Sequence, residues 1–297
     1  MFNGTANILK PPGISSFALI KKLRHLLDEK KVGHTGTLDP AAAGVLGVCF
    51  GKATKTIPFL DDKQKEYICE LKLGLRTDTL DLEGEIIAQD SNWEKLTKKK
   101  VEAAILNFKG KQEQIPPMYS ALHHEGRRLY QLARQGIKVE RESREIEILD
   151  LEIIEIKLPL VRFRVEVTRG TYIRSLVRDI GDKLATNSVM TFLLRTKSGP
   201  FRLADSVSYE DIAAQGSQIL LKTYEPLKLP AYTIKDQEYE RAKNGNYLIK
   251  ENMVETEINL NIGDKFLVFS EAGDFMAISQ YQLVDDYPIY QPLKVFI

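Results

Sequence analysis

Two cysteines, one tryptophan and four histidines are all that this 297-residue chain has of the residues that most often build covalent staples and metal sites. Cys49 and Cys69 stand alone, with no CxxC and no histidine at metal-ligand spacing, so the pattern gives neither a disulfide framework nor a zinc site. Both read as small core residues of a reduced protein. His123-His124-Glu125 lacks the second histidine at the helical spacing a zincin needs. No apolar run approaches the length of a membrane span, and the first residues lack the charged and apolar regions of a signal peptide. The expectation is a soluble, cytoplasmic protein with no membrane partner. A surplus of one sign of charge is missing too: 42 Lys and Arg against 41 Asp and Glu leave a formal net charge of +1, which argues against a nonspecific polyanion binder. A nucleic-acid partner would need a local basic face. Nucleotide, flavin and metal motifs, internal repeats and low-complexity tracts are all absent, so no cofactor and no metal are expected.

At this length the chain has room for one large and one small domain, and the irregular alternation of helix-like and strand-like segments gives an α+β class. Ser15 or Ser16 caps a helix with Phe17, Ile20, Leu23, Leu26 and Leu27 inward and a solvated face of Lys21, Lys22, Arg24, Lys30 and Lys31. Tyr67 to Leu73 alternates as a strand, and residues 73–84 turn through glycine and acidic residues, with Asp78 and Asp81 expected as loop caps. A surface helix is expected over 94–108. Residues 119–144 interleave Arg127, Arg128, Arg134, Lys138, Arg141 and Arg144 with Tyr119, Tyr130 and the two histidines, a pattern suited either to phosphate contact and base stacking or to an amphipathic surface helix. Val161, Phe163, Val165 and Val167 mark a half-buried strand. It breaks at Arg169-Gly170-Thr171 into a helix bearing Ile173, Leu176, Val177, Ile180 and Leu184 on one face. Arg174 falls in its first turn, where a guanidinium and a helix N-terminus together favour an anion. Leu193-Leu194-Arg195-Thr196 reads as a strand end and Leu227-Lys228-Leu229-Pro230 as a linker. Beyond it a hairpin signal joins Phe266–Ser270 to Phe275–Ile278 across Glu271-Ala272-Gly273-Asp274.

The densest stretch is Val32-Gly33-His34-Thr35-Gly36-Thr37-Leu38-Asp39-Pro40-Ala41-Ala42-Ala43-Gly44-Val45-Leu46. By local chemistry, Asp39 before Pro40 is a good helix start, the carboxylate capping backbone N–H groups and the proline pre-set at the first helical position. The stretch also resembles the catalytic-aspartate motif of the TruB family of pseudouridine synthases. Further motifs of that family follow in order: Asn7 to Ser16 before it, then Lys65-Glu66-Tyr67, Leu73 to Gly84, Gln114 to Ala121 and Gly170 to Leu176. The likeness spans about residues 7–200. One motif alone is weak; the ordered series is specific.

The resemblance implies a pseudouridine-synthase core over 1–227, a mixed or antiparallel sheet with flanking helices and an RNA-binding insertion at about 119–144 that closes as a flap. Residues 228–297 more weakly resemble a small β-barrel-like domain of the PUA type. It implies isomerisation of uridine 55 in the TΨC loop of tRNA, recognised through the T-arm stem-loop by a monomer without a protein partner. Asp39 would be the catalytic carboxylate, adding to C1′ or removing the C2′ proton. Arg174 would pair with and orient it, and Tyr67 would stack under the uracil and assist at C5. His34 would fill the space left by the flipped base, Leu194 would line an apolar wall, Lys10 would steer a phosphate, and Tyr172 would join the substrate-binding set. Two rival readings stay open: a guide-RNA-dependent relative with the same core, and a non-catalytic tRNA-binding or tRNA-folding protein.

Overall fold

A computed structural model describes every residue except Met1, residues 61–63 and Thr256. The first half runs β1 (Gly4–Lys10), α1 (Ser16–Leu27), β2 (Val32–His34), β3 (Ala43–Phe50), β4 (Gln64–Leu73), β5 (Leu75–Thr77), β6 (Ile86–Gln89), α2 (Lys98–Leu106) and β7 (Gly110–Gln114). Then come β8 (His123–His124), β9 (Arg127–Arg128), α3 (Leu129–Ala133), β10 (Arg144–Lys157), β11 (Leu160–Thr168), α4 (Ile173–Lys183), β12 (Ser188–Ser198), β13 (Phe201–Arg202) and α5 (Tyr209–Gln215). The last part holds β14 (Ala231–Thr233), α6 (Tyr239–Lys243), β15 (Lys265–Phe269), β16 (Phe275–Val284) and β17 (Tyr287–Val295). The expected α+β class is what the chain adopts. None of its described helices is long and apolar enough to cross a membrane.

One large sheet carries the site. Its order is β1-β3-β12-β4-β11-β10-β7, with β2 on β3 and β13 on β12. Every pairing in it is antiparallel except β3 with β12, where Leu194 faces Ala43 and Arg195 faces Gly44. Alternation decides the faces. Tyr67, Cys69 and Leu71 of β4 lie opposite Val165, Phe163 and Val161 of β11, and this inner face packs on α2 and α4 through Val101, Ile105, Leu176, Val177 and Ile180. The outer face holds Glu66, Glu70, Asp150, Glu152, Arg162 and Arg164 in cross-strand ion pairs. These neutralise the solvated side with paired charge rather than apolar cover.

Several elements differ from expectation for local reasons. The run after Pro40 is a strand, not a helix: Ala42 N–H reaches the Asp39 carbonyl at 3.1 Å, one turn forms, and the chain then extends into β3. Val45 and Val48 suit a strand, Gly44 and Gly47 sit where neighbours approach closely, and the ladder bonds to β1 and β12 override the helix-start signal. In α1 the buried stripe is Ser16, Leu19, Ile20, Leu23 and Leu27; Phe17 is 70% exposed and Leu26 points outward as well. Residues 119–144 hold no long amphipathic helix but a two-residue hairpin, the short α3 and an irregular return. Leu193–Thr196 lies inside β12 rather than at its end.

The C-terminal segment forms a four-stranded sheet, β14-β15-β16-β17, and the expected hairpin is β15–β16. Two isolated bridges, Ile234 to Met253 and Leu248 to Tyr290, fold the intervening segments onto it. The Leu227–Pro230 stretch is not a free linker. Leu227 is buried in a cluster that joins Cys49, Ala53 and Leu60 of the large domain to Leu267, Ile278 and Phe296 of the small one.

Gly44 makes a sharp demand on the backbone. Its φ is +116°, and a Cβ there would lie 2.2 Å from the Arg195 carbonyl oxygen on β12. Gly13 has φ +86° but open space around it. Gly13→Ala should therefore cost about 1 kcal/mol and Gly44→Ala several times that, because only the second adds a backbone clash to the conformational penalty. Denaturant melts of both variants check this; equal losses would contradict it.

Candidate active site

The site is a carboxylate held by an arginine whose guanidinium makes four hydrogen bonds. Asp39 sits where the β2–β3 connection turns, and Arg174 rises from the first turn of α4. Arg174 Nε donates to Asp39 Oδ2 at 2.9 Å and Nη2 to Oδ1 at 3.1 Å, a two-point contact that fixes the plane of the carboxylate. Nη1 donates to the Thr79 carbonyl at 2.9 Å and lies 3.6 Å from Asp81 Oδ2, while Nη2 also donates to the Tyr119 carbonyl at 2.9 Å. The Arg174 side chain is only 6% exposed, whereas that of Asp39 is 31% exposed. The arginine is thus part of the fold, and the carboxylate it orients faces the open side.

The turn between β5 and β6 supplies the second carboxylate. Asp81 is buried and accepts from Thr79 Oγ1 at 2.6 Å and from the Glu83 N–H at 3.1 Å. Asp78 accepts from the Glu85 N–H and from the Tyr119 hydroxyl, both at 2.9 Å. Both aspartates are caps, as expected from the sequence. Asp81 in addition backs the arginine, a role its turn-like setting did not signal. Burial pushes the Glu83 carboxyl above its ordinary range, with Asp81 and then Asp39 adding to the effect.

Lys10 and Arg195 brace the Asp39 loop from beneath. Lys10 is fully buried, and its ammonium donates to the carbonyls of Pro11, Ile14 and Pro40 at 2.8, 2.7 and 3.2 Å. Burial brings its pKa down to about 8, against the opposing pull of Asp39. The expectation that Lys10 steers a phosphate is corrected here: its three donors are spent on carbonyls and it has no surface. Ser16 Oγ adds a tie of its own, accepting from Leu38 N–H at 2.9 Å and donating to the Leu38 carbonyl at 3.0 Å.

Tyr67 is buried on β4 directly opposite Arg195 of β12. Burial pushes its phenol up, and the neighbouring Arg195 charge pulls the other way. His34 lies half-buried on β2 with Nδ1 enclosed and unpartnered, its pKa lowered first by burial and then by the charge of Arg195, which favours neutral imidazole. Tyr172 caps α4, exchanging both its backbone groups with the Gln114 amide at 2.8 and 3.1 Å under the Arg144 guanidinium, 4.8 Å from its ring. Leu194 is the one candidate on the wrong side. It pairs with Ile68, so it shares the outer face, and the residue on the Tyr67 face is the buried Leu193, opposite Cys69. The motif gave the segment, but side-chain parity depends on register.

Lys10→Met should leave the Pro11 and Ile14 carbonyls without their ammonium donor, Pro40 keeping its bond from the Gly13 N–H, and lower stability by about 1–3 kcal/mol. A denaturant melt at neutral pH measures this, and an unchanged midpoint would contradict the bracing role.

Comparison with known proteins agrees with this layout. The family description "TruB family pseudouridylate synthase (N terminal domain)" matches residues 24–173, and "tRNA pseudouridylate synthase B C-terminal domain" matches residues 174–225. The tRNA pseudouridine synthase B of Clostridium kluyveri is 42% identical over 282 residues, covering 93% of this chain and 94% of that protein. That of Syntrophomonas wolfei is 39% identical over 303 residues, covering 99% and 98%. Among solved structures, the Cbf5 chain of a Cbf5-Nop10-Gar1 complex superposes with TM-score 0.73 at 25% identity, over 99% of this chain and 85% of that one. An archaeal box H/ACA Nop10-Cbf5 complex gives 0.72 at 24% identity, over 99% and 86%, a likeness of fold. With both family descriptions matched in tandem and relatives 42% and 39% identical over 93% and 99% of its length, the chain belongs to the TruB family of tRNA pseudouridine synthases and is an isomerase.

Proposed function

We propose that the protein converts uridine 55 of the tRNA TΨC loop to pseudouridine in the cytoplasm, as a single chain acting on the T-arm stem-loop, with Asp39 as the reacting carboxylate. The observation that carries this reading is the two-point Arg174–Asp39 contact, which leaves the aspartate partly exposed beside Tyr67. The reaction breaks the N1–C1′ bond, turns the uracil and rejoins it through C5, with no net redox change and no energy input. A single oriented carboxylate suffices, either by adding to C1′ or by taking the C2′ proton. Tyr67 offers a ring for stacking. The target base must leave its loop to reach a carboxylate in a cleft, and His34, neutral and unpaired at Nδ1, is suited to fill the vacated space.

Residues 119–144 supply the moving part. The root of this insertion is tied to the site, since the Tyr119 carbonyl accepts from Arg174 and its hydroxyl binds Asp78. The far part carries exposed Arg127, Arg128 and Arg134 on a short hairpin and a five-residue helix. Closure on RNA would bring these cations to phosphates.

Incubating purified protein with an unmodified tRNA transcript and mapping pseudouridine tests the proposal directly. Pseudouridine should form at position 55 without any guide RNA. Formation only with a guide RNA, or tRNA binding without product, would favour one of the rivals. Asp39→Asn should cut turnover more than about a hundredfold with tRNA affinity within a few fold, because the amide keeps the shape but cannot act as nucleophile or base. Turnover within tenfold of wild type would overturn the assignment of Asp39. Limited proteolysis should cut residues 119–144 in free protein and much more slowly with tRNA bound; equal cutting would contradict closure.

A further inference from the structure

Helix α1 leaves an aromatic ring in solvent at the end nearest the site. Phe17 is 70% exposed in the first turn, because the buried stripe is set by Leu19, Ile20, Leu23 and Leu27. An exposed ring alone says little; what singles out Phe17 is its setting. The residue before it, Ser16, is bonded through Oγ to both backbone groups of Leu38 at 2.9 and 3.0 Å, and the Gly13 N–H donates to the Pro40 carbonyl at 2.9 Å. The start of α1 is thereby fixed to the residues on either side of Asp39, and Phe17 stands at the rim of the site. One turn further on, Lys21 shares its line, with His25 a turn beyond. No Asp or Glu occurs in α1. Two of its cations are engaged within the fold, since Arg24 Nη2 donates to the Val32 carbonyl at 2.8 Å and the Lys22 ammonium lies 3.6 Å from the centre of the Tyr209 ring. Lys21 is exposed and has no ion-pair partner among the described residues.

Resting on the proposed function, we propose that this face of α1 is part of the RNA-binding surface: Phe17 stacks on a T-loop base beside the target uridine, and Lys21 meets a phosphate of the same strand. A uridine that leaves its loop takes its stacking with it, so a neighbouring base is left with a bare face that an aromatic ring at the rim covers. Cations without an acid among them suit a polyanion, and in a chain of net charge +1 such a face has to be local. Four residues of helix rise about 6 Å, which sets the ring and the ammonium on successive parts of one strand. Stacking reads no hydrogen-bond pattern, so the contact contributes affinity and holds the opened loop without choosing the base. A second copy of the chain packed face to face would set these cations against their own kind.

The test joins steady-state kinetics on tRNA to a fluorescence readout. Phe17→Ala should raise KM about tenfold with kcat within about threefold, Phe17→Leu should lose most of the same amount because it keeps apolar bulk without a ring, and Phe17→Trp should stay near wild type. Lys21→Gln should lower the slope of log affinity against log salt by about one. Phe17→Trp also reports the contact directly: an unmodified T-arm stem-loop should quench the emission that this variant adds to wild type, whose single tryptophan is Trp93. An unchanged KM in Phe17→Ala, a Phe17→Leu variant equal to wild type, or an added emission that the stem-loop leaves unmoved overturns the proposal. So does self-association of wild type that Phe17→Ala abolishes while the KM for tRNA stays put, which assigns the face to a second copy. If Phe17→Ala does not fold, the emission of Phe17→Trp decides alone. Quenching by the stem-loop in a protein that forms no pseudouridine would overturn the function and not the binding surface.

Discussion

The site rests on the way Arg174 is held. Two of its donors face the oxygens of Asp39, two more go to the Thr79 and Tyr119 carbonyls, and the Asp81 carboxylate lies 3.6 Å away as an ion pair. A guanidinium so committed cannot swing away, and an aspartate bonded to it at two points cannot rotate. The arrangement draws three separate segments together: the β5–β6 turn, the root of the 119–144 insertion and the first turn of α4. The Asp39 carboxylate is therefore held from three parts of the chain at once.

Beneath it the same logic is repeated with backbone acceptors. Among the described residues Lys10 and Arg195 are buried cations without a paired carboxylate, and each donates to carbonyls of the segment that carries Asp39: Lys10 to Pro40, Arg195 to Gly36 and Thr37. Buried charge of this kind is weak support for stability, and removing one partner is costly. Its value lies in specificity, since a loop of glycine and threonine has few side chains with which to hold its own shape. The small C-terminal sheet joins this frame through an apolar seam at Leu227, Leu267 and Phe296.

Much of the site was legible in the sequence because its chemistry is local. Arg174 and Asp39, two of the residues the motif series singled out, are in direct contact, and the Val161–Val167 alternation and the α4 face fall where their periods put them. What misled was decided by partners far along the chain. The Asp39-Pro40 pair has every local mark of a helix start, yet the ladder to β1 and β12 makes the following run a strand. Leu194 and Leu193 are indistinguishable by composition; only pairing with β4 shows that Leu193 shares the Tyr67 face. Phe17 was expected inside because it is aromatic, whereas the helix phase is set by Leu19 and Leu23 against the sheet. Lys10 had the charge of a phosphate ligand, and only its three carbonyl partners reveal a brace. Asp81 gave no sign of touching Arg174, because the two stand far apart in sequence and only the fold brings them together.

The central claim is that the carboxylate is already in its working position before RNA arrives. It is tested most directly by a crystal structure of Asp39→Asn bound to an unmodified T-arm stem-loop, a variant chosen to halt the reaction. The account predicts a uridine flipped out of the loop and stacked on Tyr67, with the residue 39 carboxamide within about 3.5 Å of ribose C1′ or C2′ and Arg174 where it stands in the free protein. A base bound away from Tyr67, or an Arg174 that has exchanged the Thr79 and Tyr119 carbonyls for RNA, would contradict it.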